Sequence, residues 1–191
     1  MKRVSFEQLA HAEKETKLDP ADSFLVAYRE FVAYFASLNT ITEHDLIIGA
    51  HFVYGWMPRM LVLKNPKERL PDAVKVLNRV KQGHPATAQD LVCLRDLIDN
   101  SLVATSKLLH FINPNICAIW DSRVYRFINS KSPFDYQSKD PNNYLAYLAN
   151  CQELWQDKDF PALHESMNRK IGYSVSSYRA IELVMYMNGG E

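Results

Sequence analysis

The sequence predicts an all-α fold in a single compact domain over residues 1–191. Three observations lead there. Apolar residues recur at steps of three and four along most of the chain. No Val/Ile/Thr run alternates with polar residues for long, and no repeat or low-complexity linker divides the chain. A length of 191 residues suffices for one well-buried domain.

The elements follow in order. Phe24, Leu25, Tyr28, Phe31, Val32, Phe35 and Leu38 form a core-facing stripe, with Asp22 near its start. Thr42 is placed to cap a nearly all-apolar helix over 43–56, "EHDLIIGAHFVYGW", which suggests a buried central element. "NPKERLP" breaks the pattern. Pro71 is expected to open the next helix, running to about Gln82, because proline presets helical φ at the first position; "GHP" ends it. Thr87 or Ala88 starts another, with Leu91, Leu94 and Ile98 on one side. A helix over 106–112, an "NPN" turn and a helix over 122–129 come next, and "NICAIW" between them could be extended for a few residues. Helices are also expected over 142–156, 161–168 and 174–187. Ser174 would cap the last, and Arg179 and Glu182, three apart, would pair on its face.

Composition narrows the class: 47% hydrophobic, 12% aromatic and 23% charged residues are those of a globular protein. No apolar run approaches the length of a bilayer crossing, and "MKRVSFEQLAHAEKE" lacks the apolar core of a signal peptide, so a cytoplasmic location without membrane attachment is expected. Cys93, Cys117 and Cys151 are widely spaced and read as buried thiols. The six histidines show no metal-ligand spacing, so neither metal nor cofactor is expected. Net charge is zero, yet residues 56–84 carry seven Lys/Arg against two acids and residues 101–131 carry four against one. Such blocks make a basic face if they meet in space, and two solvated helix faces if they do not.

Three stretches could carry chemistry. In "TSKLLHFINPNICAIWDSRVYRF", small polar residues at a helix start leave free N–H groups for a phosphate, and Lys107 falls on the first turn. Asp121 sits where the next helix needs an N-cap. A surface lysine and an ordinary cap are the plain readings, and a capped carboxylate is also a well-oriented anion. In "HFVYGWMPRML", Gly55 and Pro58 distort the backbone beside two large rings. Tyr54 and Trp56 could stack on an extruded base while Arg59 reaches the backbone; the alternative is an aromatic plug of the core. Trp120 has the same two readings, and His110 reads as a satisfied core residue. In "SVSSYRAIELVMYMNGG", Ser176, Ser177 or Arg179 could touch phosphate, with a structural role the simpler reading.

Over about residues 90–130 the arrangement resembles the helix-hairpin-helix DNA glycosylase superfamily, in particular its 8-oxoguanine glycosylase (OGG-like) branch. Lys107 matches the lysine that ends the hairpin and opens a helix, "AIWD" the apolar stretch ending in aspartate, and "SRVYRF" the helix after it. The resemblance implies an OGG-like glycosylase domain that flips a nucleotide out of double-stranded DNA and excises its base. Asp121 and Lys107 would be catalytic, and Trp56, Trp120 and Tyr54 would hold the base. Thr105, Ser106, Arg59, Arg123 and Arg126 would contact the DNA. Asp121 would stabilise positive charge developing on the deoxyribose, and an unprotonated Lys107 would attack C1′ to form a Schiff base, adding abasic-site lyase activity. The implied substrate is 8-oxoguanine or a hypermodified phage cytosine such as glucosylated hydroxymethylcytosine, the latter in anti-phage defence. A monomer acting without cofactor is expected. The alternative is a non-catalytic all-α module that binds DNA or a protein, with Asp121 purely a cap.

Overall fold

A computed structural model describes residues 1–57 and 60–190. The described residues form eleven helices: α1 Phe6–Glu15, α2 Ser23–Ser37, α3 Glu43–Trp56, α4 Pro66–Lys81, α5 Ala88–Leu97, α6 Leu102–Ile112, α7 Ser122–Asn129, α8 Asp135–Ser138, α9 Pro141–Trp155, α10 Phe160–Ile171 and α11 Ser177–Asn188. The only extended pairing among them is an isolated antiparallel bridge between Leu63 and Ile98. The all-α, single-domain expectation holds. None of these helices is long and apolar enough to cross a membrane.

Local signals set most boundaries. Ser5, Thr42 and Thr87 each close a capping box with the residue three positions on, satisfying two orphan donors reciprocally. The helix starting at Ser5 was not anticipated, although "SFEQ" carries that signature. Three expected starts move. α4 opens at Pro66, at its first turn, so Pro71 lies inside the helix instead of opening it. α6 opens at Leu102, because Ser101 accepts from Ala104 N at 3.1 Å and takes the cap. Ser176, not Ser174, caps α11, accepting from Arg179 N at 3.2 Å.

Two helices make the interior. α6 is buried from Ala104 to Ile112 and packs against α2, α3, α4 and α5; α11 is buried from Tyr178 to Met185 and packs against α1, α7, α9 and α10. Gly49 on α3 permits the first set, since a Cβ there would collide with Phe35 and Leu108. Between α5 and α6 the chain reverses at Asp99 and Asn100, with φ of 49° and 53°. Asp and Asn enter the left-handed region more readily than most residues, so this hairpin forms without glycine.

Candidate active site

The site is built on the short non-helical segment Cys117–Trp120 that leads into α7. Its backbone is tied on every side: Cys117 O to His110 Nδ1 at 2.6 Å, Ala118 O to the Tyr144 hydroxyl at 2.9 Å, and Trp120 N to Ser106 Oγ at 2.9 Å. The Trp120 indole donates to Ser138 O at 3.1 Å. Asp121 is thereby delivered to a fixed place as N-cap of α7, where Oδ1 accepts from Arg123 N at 3.0 Å. One oxygen serves the cap, and Oδ2 remains for Lys107, whose Nζ lies 3.5 Å away.

Lys107 occupies the second turn of α6, not the first, and is only 8% exposed. Burial pulls its pKa below the ordinary lysine value, while the neighbouring Asp121 and Glu182 carboxylates oppose that fall. The ammonium lies 5.3 Å from the centre of the Trp56 ring, a cation–π distance. Trp56 is held in turn by Phe111, with ring centres 5.3 Å apart, and by Phe31 at 6.4 Å.

Lys107, Asp121 and Trp56 line one recess of about 80 Å³, completed by Phe24, Ile119, Arg179, Glu182, Leu183 and Tyr186. The first three, with Tyr186, also line a wider cleft of about 640 Å³ that reaches the α5–α6 hairpin at Asp99–Val103. The cleft therefore joins the first turn of α6, at Leu102 and Val103, to the lysine–aspartate pair.

Arg179 and Glu182 belong to this recess, and reading them as a pair on a helix face missed it. Both are 2% exposed, and Arg179 Nη1 donates to Glu182 Oε2. Their spacing announced the pair, but burial comes from α11 packing against four other helices. Burial also lifts the Glu182 carboxyl to about 6, against the pull of Arg179. Beside them His110 is fully buried between the Tyr28 hydroxyl, 2.8 Å away, and Cys117 O. Burial and the Arg179 charge depress its pKa to about 3, in keeping with a satisfied neutral core histidine.

The other anticipated site residues fall in different places. Tyr54 is buried and lines the wide cleft. Trp120 does not reach the recess. Ile119 and Asp121 line the recess, while Trp120 between them enters the core against Tyr147 and Tyr125. Thr105 and Ser106 are fully buried and cannot meet a phosphate: Thr105 Oγ1 donates to Ser101 O at 2.9 Å, and Ser106 Oγ is committed to the Trp120 backbone. Arg126 Nε donates to Gly189 O and Gly190 O at 3.0 and 2.8 Å, which makes it an anchor for the chain after α11. Arg123 lies over Tyr186, 5.0 Å from the ring centre, at the edge of the site. Arg59 and Pro58 lie outside the described residues.

Acids of the segment before α6 neutralise part of the first basic block, through Arg69–Asp96 at 3.5 Å, Lys64–Asp99 at 3.8 Å and Arg79–Asp90. Cys117 and Cys151 are buried free thiols, but Cys93 is only half-buried. Among the described residues no group of three or more His, Cys, Asp or Glu could hold a metal ion. No protein-family description matches the chain, and no match was found among curated proteins or solved structures.

Proposed function

We propose that this chain is a DNA glycosylase, excising a modified or damaged base at the Lys107–Asp121 recess. The observation that carries the reading is the pairing of a largely buried amine with a capped carboxylate, 3.5 Å apart, under an aromatic ring and open to a wider cleft. Breaking an N-glycosidic bond leaves positive charge on the sugar. A carboxylate fixed by a helix cap and a pinned backbone stabilises that charge without reorganising. The neighbouring amine, its pKa lowered by burial, is available as a nucleophile at C1′ more readily than a surface lysine. The first turn of α6 offers N–H groups to a backbone phosphate, and Trp56 and Tyr186 offer rings to a flipped base.

Substrate candidates are 8-oxoguanine and hypermodified cytosines such as glucosylated hydroxymethylcytosine, the second implying a role against phage DNA. Duplexes carrying each base, followed by alkaline cleavage at abasic sites, test the reading. At least one duplex is expected to yield breaks. Binding of all duplexes with no abasic site in any would leave a non-catalytic binding module.

A further inference from the structure

The recess holds a polar group that the proposed chemistry does not use. Arg179 Nη1 is committed to Glu182, but Nε and Nη2 are buried without a hydrogen-bond partner among the described residues. These two atoms form one edge of the guanidinium, a fork whose parallel N–H groups match two adjacent acceptors. Leaving both donors unmet in the interior costs stability, and the fold keeps them in place: the guanidinium lies 4.5 Å from the Tyr28 ring centre and 5.7 Å from that of Trp56. Both atoms are covered in this structure, and Arg179 lines the recess, so a partner would approach the fork from there.

The charge of the recess selects the partner. Its lining carries two cations, Lys107 and Arg179, and two carboxylates, Asp121 and Glu182. A carboxylate or phosphate guest would add an uncompensated charge to that balanced set, whereas a neutral guest would not. Trp56, Tyr186 and Phe24 supply apolar walls for a flat ring.

We propose that the Nε–Nη2 edge of Arg179 reads the excised base by gripping two adjacent acceptors of a neutral heterocycle. Two sources present that pattern: the O6/N7 pair of a guanine-type purine with no hydrogen on N7, which excludes 8-oxoguanine because its N7 is a donor, and the O2/N3 pair of a cytosine-type pyrimidine. This assignment rests on the glycosylase reading. A pyrimidine held by O2 and N3 turns C5 away from the arginine, so a bulky 5-substituent would be directed out of the recess. Arg179 is thus the specificity residue, and Glu182 positions it through Nη1.

Calorimetric titration of the wild-type protein with guanosine against 7-deazaguanosine, and cytidine against 3-deazacytidine, tests this directly. In one of the two pairs the deaza compound, lacking one acceptor, is expected to bind about tenfold more weakly. The pair that discriminates identifies the source. Arg179→Lys keeps the charge without the fork and should abolish the difference; if that variant does not fold, the wild-type comparison still decides. Equal binding within both pairs, no binding of either parent nucleoside at millimolar concentration, or discrimination surviving Arg179→Lys would overturn the proposal. Base release assayed in parallel separates the two claims. Discrimination without base release keeps Arg179 as a base reader and removes the glycosylase. Base release with equal nucleoside binding does the reverse.

Discussion

Lys107 Nζ stands 3.5 Å from Asp121 Oδ2, although the two residues come from different helices and each has a separate structural reason for its place. Asp121 is the N-cap of α7, and Lys107 projects from the most enclosed helix of the fold. Burial is the largest influence on the lysine and lowers its pKa, so its charged form carries a desolvation cost that the Asp121 and Glu182 carboxylates only partly offset.

Lys107→Met should lower stability, by about 3 kcal/mol, because removing the amine leaves the Asp121 and Glu182 carboxylates without their cation. The pH dependence of the wild type follows from linkage. A folded pKa below the unfolded value means that the unfolded chain holds the proton more tightly as pH falls, so wild-type stability is lost in that direction. Urea melts at neutral pH check the loss. The wild type is expected to form borohydride-trapped adducts on an abasic duplex, and the same variant to lose them.

Glu182 has the opposite linkage to Lys107. Its folded pKa of about 6 exceeds the ordinary 4.5, so its favourable contribution is complete below pH 4.5 and lost as pH rises through 6. Glu182→Gln removes this titration while leaving an oxygen for Arg179. Between pH 4.5 and 7 the variant should gain about 2 kcal/mol relative to wild type, read from urea midpoints at both pH values. A constant difference across that range would mean that Glu182 is not buried as described.

Gly189 couples the chain after α11 to the site. A Cβ there would run into the Arg123 carbonyl oxygen, just after the Asp121 cap. Gly189→Ala should cost about 1–3 kcal/mol through overpacking. Because Arg126 donates to the carbonyls of Gly189 and Gly190, the strain passes into α7. Melting temperature and the borohydride adduct should fall together.

What the sequence revealed was local. Thr42, Thr87 and Asp121 were readable as caps because capping needs only a side chain and the N–H groups two or three residues on. The Lys107–Asp121 pairing came from the resemblance, and its distance and burial from the packing of α6 on its neighbours. Thr105 and Ser106 read as a polar helix start because two polar residues usually mark one. The long-range bond from Trp120 N to Ser106 Oγ, which no local pattern shows, gives the serine its role inside α6. Arg179 and Glu182 showed their spacing, but no i,i+3 pattern tells a solvated pair from one sealed at the floor of a recess. Nearness to Asp121 in the chain suggests the pocket for Trp120, but its ring packs on Tyr147 and Tyr125 and its indole donates to Ser138 O, contacts between distant parts of the chain.

The central claim is that Asp121 acts chemically as well as structurally. Asp121→Asn retains an oxygen for Arg123 N, so the α7 cap and the fold should survive with little loss, whereas alanine at that position would cost about 1 kcal/mol. The deciding measurement is the single-turnover rate of base release by wild type and Asp121→Asn on a duplex from which the wild type is expected to release the base, with melting temperatures and DNA affinities measured alongside. The account predicts a rate at least about a hundredfold lower at unchanged affinity and near-unchanged stability. An undiminished rate in a folded, DNA-binding Asp121→Asn protein would contradict it.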